Sequence, residues 1–224
     1  MNKEKLIVES WKANAENWMT IIENNGIESR KLATNKAIVD AVCNANPFSV
    51  LDIGCGEGWL AKELSGKGMN ITGVDIVPEL IKKVRRQVAG EFIVASYEDI
   101  SSGKIHFSKF FDVIVINFAL IGKESTENLL SSLPSLLAAN GKLIIQTLHP
   151  DSRKAAGDYT SGWKEGSWDG LGSQFTMPYQ WYFRTLEDWL QLLGKSGFGK
   201  IKATDVLHPI NENPLSLIFE CSIK

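Results

Sequence analysis

The stretch from Val50 to Leu60, VLDIGCGEGWL, constrains this chain more than any other. It opens with a strand-sized apolar run, Val50, Leu51 and Ile53, that also carries Asp52. Glycines follow at 54, 56 and 58, with Cys55 between the first two, and the pattern then turns helical. Glycine tolerates positive φ and lets backbone approach a ligand or another element closely. A Gly-rich turn between a strand and a helix therefore aims bare N–H groups, at a helix N-terminus, at whatever binds there. Asp75 ends the next apolar run, ITGVD, 21 positions after Gly54, with Ile76 directly behind it. An acid at about that distance suits a ribose hydroxyl pair.

The glycine spacing is GxGxG, not the GxGxxG of dinucleotide binding. Asp52 also precedes the first glycine by two residues, where a pyrophosphate would meet a carboxylate. A ligand with a ribose and an ammonium group but no phosphate fits better. On Asp52, Gly54, Gly56, Gly58 and Asp75 the chain resembles the class I S-adenosylmethionine-dependent methyltransferases. The resemblance implies a doubly wound α/β fold with a mostly parallel seven-stranded sheet, closed by a C-terminal antiparallel hairpin. It implies S-adenosylmethionine as cofactor, leaving S-adenosylhomocysteine.

The rest of the chain is read in the same terms. Apolar residues at Ile7, Trp11, Ala15, Trp18 and Ile22 predict one amphipathic helix over 2–24, stopped by Asn24-Asn25-Gly26. A second helix is expected over 34–45. These two form an N-terminal cap over residues 1–47, a cover for the sheet or a lid over the ligand. Arg30 lies between them, and Arg suits bidentate carboxylate binding. The core, 48–148, alternates further helices (57–66 and 78–88) with strands (70–75, 91–95, 110–117 and 142–148). FFDVIVIN is near-continuously apolar, as a strand buried on both faces must be. The helix after it carries Pro134, which kinks it or starts a second short piece, and Asn140-Gly141 is expected to cap that piece. In such sheets ligands sit beyond the strand C-termini, where strand order reverses. Ser96, Tyr97, Asn117 and Phe118 follow or end strands on that side. The resemblance places adenine near Ser96 and Tyr97, although Ser96 equally suits a capped turn.

Residues 149–184 break the rhythm with many glycines and eight aromatics, among them Tyr159, Trp163, Trp181 and Tyr182. So many rings must bury themselves, as a satellite core, as a substrate wall, or as both. These four residues and Arg184 are candidates for substrate contact. His149 is the candidate general base for a hydroxyl acceptor, by its place after the fifth strand and its near-neutral pKa; a His before Pro also serves as a simple turn residue. Thr185 with Asp188 suggests a capping box for a helix lined by Leu186, Trp189, Leu190 and Leu193. Runs at 200–207 and 215–223 form the closing hairpin, so that 185–224 completes a single domain.

The string QTLHP, with PYQWYFRTLEDWL further on, is similar to bacterial methyltransferases that act on small molecules. Strand four ends NFAL rather than NPPY or DPPY, and no Pro-Cys pair is present, which argues against base and glutamine-amide acceptors. A small-molecule acceptor, with N or O ahead of C, is expected. The rival readings are an NAD(P)-dependent oxidoreductase with an atypical Gly-rich turn and a non-catalytic S-adenosylmethionine-binding protein. Net charge is −2 over 224 residues, so no basic surplus points to nucleic acid or an acidic membrane. Cys43, Cys55 and Cys221 are scattered without a CxxC, which predicts neither a disulfide framework nor a metal site. The polar N-terminus and short apolar runs make a cytoplasmic protein, with no membrane association, the expectation.

Overall fold

The computed structural model describes residues 2–154 and 157–224. Helices α1 (Lys3–Ala13), α2 (Ala15–Glu23) and α3 (Asn35–Asn44) lead into β1 (Ser49–Ile53). There follow α4 (Trp59–Ser65), β2 (Asn70–Asp75), α5 (Pro78–Gln87), β3 (Glu91–Val94), α6 (Tyr97–Ser101), β4 (Phe111–Asn117) and α7 (Glu124–Ser132). The chain continues through β5 (Leu137–Leu148), the short pair β6 (Gly162–Lys164) and β7 (Trp181–Phe183), and α8 (Leu186–Lys195). It ends in β8 (Phe198–Leu207) and β9 (Pro214–Ile223).

The main sheet has the order β3-β2-β1-β4-β5-β9-β8. Strands β1 to β5 are parallel, and β9 runs antiparallel to both β5 and β8. Alternating side chains of β1 and β4 feed two cores. Leu51, Ile53, Ile114 and Ile116 pack with α7 and α8 on one face. Val50, Val113 and Val115 pack with α3, α4 and α5 on the other. Both faces are covered, which explains the uninterrupted apolar reading of these strands. Strand order reverses between β1 and β4, so the loops after these two strands flank one crevice.

Several expected boundaries move for local reasons. The predicted 2–24 helix is two helices, because Asn14 at the break is fully buried and bonds elsewhere. Its amide donates to the Thr176 carbonyl at 2.7 Å, and its side-chain oxygen accepts the Thr176 N–H at 2.8 Å. Pro134 starts a separate 3-10 turn, Leu133–Leu136. Asn140-Gly141 lies within β5 at a register shift rather than capping a helix. Thr185 caps α8 as expected, accepting the Asp188 N–H, but the Thr185 N–H donates to Ser161 Oγ, which in turn bonds Asp188. Of the stripe expected for α8, Trp189 and Leu193 are buried, whereas Leu190 is exposed.

The turn after β1 holds the fold together as well as shaping the crevice. Gly54, Gly56 and Gly58 all have positive φ. A Cβ on Gly58 would overlap the Val84 side chain of α5. Gly58→Ala therefore combines backbone strain with a clash, and should cost about 1–3 kcal/mol of stability; a thermal melt against the wild type checks this.

Candidate functional site

One cavity of about 640 Å³ opens at the C-terminal ends of β1, β2 and β4, and extends under α1, α2 and the segment between β6 and β7. Its floor at one end is the Gly-rich turn. Gly54 and Cys55 donate their N–H groups to the Val74 carbonyl at 2.7 and 3.0 Å, pinning the turn to β2. The Asp75 carboxylate accepts the Gly56 N–H and the Val77 N–H, both at 2.9 Å. Across the reversal point, the Tyr97 hydroxyl donates to the Ala119 carbonyl at 2.9 Å, and Ala119 occupies the space a Cβ on Gly54 would need. Gly54 is therefore required for the loops after β1 and β4 to touch.

Charges crowd this end. Asp52 is 1% exposed and its Oδ2 has no partner. Burial, then the neighbouring Asp75 and Glu57, push its carboxyl up to about 8. Burial also lifts Asp75 to about 6, against the pull of its backbone hydrogen bonds. Glu57 is raised by burial too, and it accepts the Trp18 indole N–H at 2.9 Å while its Oε1 is unpartnered. Among the described residues lining this end of the cavity, Arg30, on a π-helical turn, Arg30–Thr34, is the cation set against these acids. Its guanidinium lies 4.7 Å from the Trp59 ring and 5.8 Å from that of Trp18, bonds Asn35 through Nε, and keeps a buried Nη2 without a partner. Asn117 likewise buries an unpartnered Oδ1. Unpaired buried polar groups are costly unless something else satisfies them. Carboxylates, a guanidinium and an amide oxygen left open around one turn suit a cationic, zwitterionic ligand.

The other end is aromatic. Trp181, Tyr182 and Phe183 of β7 line it, with Trp11 of α1, Ile121 and Arg184. Arg184 is 4% exposed and stacks on Tyr182 and Trp189. It donates to the carbonyls of Gly122 at 3.1 Å and Lys123 at 3.0 Å, and pairs with Glu127. Burial lowers its pKa, opposed chiefly by Glu127.

Of the residues singled out from sequence, Arg30, Asp52, Gly54, Cys55, Gly56, Asp75, Ile76, Ser96, Tyr97, Asn117 and Phe118 all line this cavity, as do Trp181, Tyr182 and Arg184. Gly58 shapes the turn from behind. Besides Gly58, three more expected residues do not line the cavity: His149, Tyr159 and Trp163. His149 caps the 3-10 turn Pro150–Arg153: its Nδ1 accepts the Asp151 N–H at 3.1 Å, and its Nε2 lies 3.0 Å from Asp205 of β8. Both ring nitrogens are thus committed away from the cavity, and the simple turn role replaces the general base. Tyr159 bonds Glu187 and the Leu186 N–H at the start of α8. Trp163 packs edge-on against Tyr182 under the Lys3 ammonium. Ser96 faces the cavity, but its hydroxyl is engaged in a capping box with Asp99. Sequence reasoning missed Trp18, Glu57 and Trp59. Glu57 sat inside the glycine motif, the one signal that pointed to it.

A family profile described as a methyltransferase domain matches residues 21–203. The chain belongs to the methyltransferase family. An uncharacterized methyltransferase of Mycobacterium tuberculosis is 30% identical over 146 residues, which is 65% of this chain and 71% of that protein. Among solved structures, the DhpI–SAM–HEP complex has a TM-score of 0.70 at 14% identity, covering 98% of this chain and 97% of that one. The plantazolicin methyltransferase BamL, in complex with a triazolic desmethylPZN analog and SAH, has a TM-score of 0.68 at 16% identity, covering 99% and 97%. These share the fold of class I S-adenosylmethionine-dependent methyltransferases. Membership sets aside the oxidoreductase reading and makes this chain an enzyme rather than a non-catalytic binder. Among the described residues of the methyltransferase, no helix is long and apolar enough to cross a membrane, and no His, Cys, Asp and Glu cluster suits a metal.

The Asp52 proton sets a stability prediction. Its folded pKa, about 8, lies above the roughly 3.9 of an unfolded carboxyl. The folded chain therefore retains a proton the unfolded chain releases, and stability falls as pH rises between those values. Asp52→Asn should flatten that slope and stabilise the ligand-free methyltransferase at pH 8 by a few kcal/mol, on the order of several degrees in Tm. Melting curves from pH 5 to 8 check it.

Proposed function

We propose that this methyltransferase transfers a methyl group from S-adenosylmethionine to a small-molecule acceptor, at nitrogen or oxygen, held against the aromatic end of the cavity. The observation that carries the reading is continuity: one cavity joins the unpaired charges at the Gly-rich turn to the wall formed by β7. The orphaned atoms fit the cofactor's amino-acid end, with Asp52 facing the ammonium group and Arg30 Nη2 the carboxylate. Asp75 holds the ribose hydroxyls, and Ile76, Ser96 and Tyr97 wall the adenine. Gly54, Cys55 and Gly56 bring bare backbone against the cofactor, and Asn117 and Phe118 separate the two ends.

When bound, S-adenosylmethionine supplies a methyl group already made electrophilic by its sulfonium. The chain's contribution is then positioning and exclusion of water. Trp181 and Tyr182 orient a flat or apolar acceptor. Arg184 fixes the turn at Gly122 and Lys123 that forms one side of its pocket. Trp18 and Trp59 close the cofactor end from above. With His149 turned away, the acceptor's lone pair attacks without help from that imidazole.

Calorimetric titration with S-adenosylmethionine, S-adenosylhomocysteine and NAD⁺ side by side tests the cofactor. Micromolar binding of the first two alone is expected; binding of NAD⁺ alone would sink the proposal. Asp75→Ala should weaken S-adenosylmethionine by about 1–3 kcal/mol, the range for a hydrogen bond to a charged group. An unchanged affinity in folded protein would remove the ribose assignment.

A further inference from the structure

The N-terminus of α7 is capped by a residue 120 positions away. Lys123, at its N-cap position, makes no side-chain capping bond. Instead the Glu4 carboxylate of α1 accepts the Lys123 N–H at 2.8 Å and the Glu124 N–H at 2.9 Å through Oε1. Its Oε2 accepts the Ser125 hydroxyl at 2.6 Å. These are donors that a helix leaves open at its start, and the helix dipole favours an anion there. Gly122 provides the room, since a Cβ on it would overlap both Glu4 Oε2 and Ser125 Oγ. Arg184 grips the same turn through its carbonyls, so the turn is held from the β7 side and presents its N–H groups to α1.

The helix that reaches over is also the roof of the cavity. Glu4, Ile7, Val8 and Trp11 lie on one face of α1, about a turn apart, and all line the cavity. That roof extends into the β6–β7 segment. The Trp168 indole donates to Ser10 Oγ at 2.9 Å, the Trp11 indole donates to the Tyr179 hydroxyl at 3.1 Å, and Asn14 pairs with Thr176. Trp168 stacks on Phe175 and meets Trp11 edge-on. A self-capped α7 would be indifferent to α1. Here, lifting α1 uncaps α7, and Glu4 is the tie between α1 and that turn.

We propose that Glu4 is the latch of a gate: its release from the first turn of α7 lets α1 lift and admits the acceptor to the aromatic end of the cavity. The identity of what enters rests on the proposed methyl transfer; the latch itself rests on the contacts of Glu4. A few charge-assisted hydrogen bonds hold such an element shut while leaving local opening accessible well below global unfolding.

Hydrogen exchange on the full chain with S-adenosylhomocysteine bound tests this, comparing wild type with Glu4→Ala, Gly122→Ala and Glu4→Gln. The first two variants break the latch from opposite partners. Both should speed exchange at residues 123–126 and in α1 together, by roughly ten-fold, with sheet amides unchanged and affinity for S-adenosylhomocysteine within about two-fold. Glu4→Gln keeps an acceptor for the two N–H groups and should stay near wild type. Acceleration confined to 123–126 would reduce Glu4 to a local cap and overturn the gate. Acceleration throughout the sheet, or none at all, would overturn it as well. Failure of the wild type to bind S-adenosylhomocysteine would count against the cofactor reading instead, and the exchange comparison then runs on the ligand-free chain.

Discussion

The backbone reversal at Gly54, Gly56 and Gly58 is the constraint on which the rest depends. Three positive-φ residues within five positions turn β1 into α4, with no side chain at 54, 56 or 58. The space left by the missing side chains is used at once, by Ala119 against Gly54 and by Val84 against Gly58. The loops after β1 and β4 can then meet at the switch point, and Asp75 can reach back to the Gly56 N–H. A larger residue in this turn would separate the same elements that the crevice needs close together.

That tight assembly has an electrostatic consequence. Asp52, Glu57 and Asp75 are brought together where burial penalises each charge, with Arg30 as their counterweight. A fold selected for stability alone would pair or remove them. Asp52 and Glu57 each leave an oxygen unpartnered, and all three acids line one cavity; perturbed acids of this kind cluster at functional sites. The far end is balanced internally: Arg184 and Lys123 both pair with Glu127, and Glu4 is taken up by the first turn of α7. Open charge is concentrated at the Gly-rich turn, while the far end presents mainly rings.

The aromatic insertion divides its rings between two jobs, and only packing assigns them. Trp168, Phe175 and Tyr179 bury themselves with Ile7 as a satellite core, with Trp168 and Tyr179 also reaching the cavity wall. Trp181 and Tyr182, on β7, remain partly exposed to the cavity. Alternation along so short a strand pair was invisible in a segment dense with glycines. His149 shows the same limit. Its place after β5 was legible, but its ring direction was set by the Asp151 N–H and by Asp205, a residue 56 positions on. Nothing in the spacing of apolar residues over 2–24 marks Asn14, whose side chain is drawn to Thr176 far along the chain.

The sequence by itself determined the parallel core, the closing hairpin, the Gly-rich turn and the acid that ends β2. Those features depend on local rules: continuous apolar runs of strand length, glycine's tolerance of positive φ, and proline's loss of an N–H. Tertiary structure alone decided which charges are unpaired, which rings face the cavity, and that Glu4 caps a helix far along the chain. Each of these depends on the distance between atoms remote in sequence, and no local pattern encodes that distance.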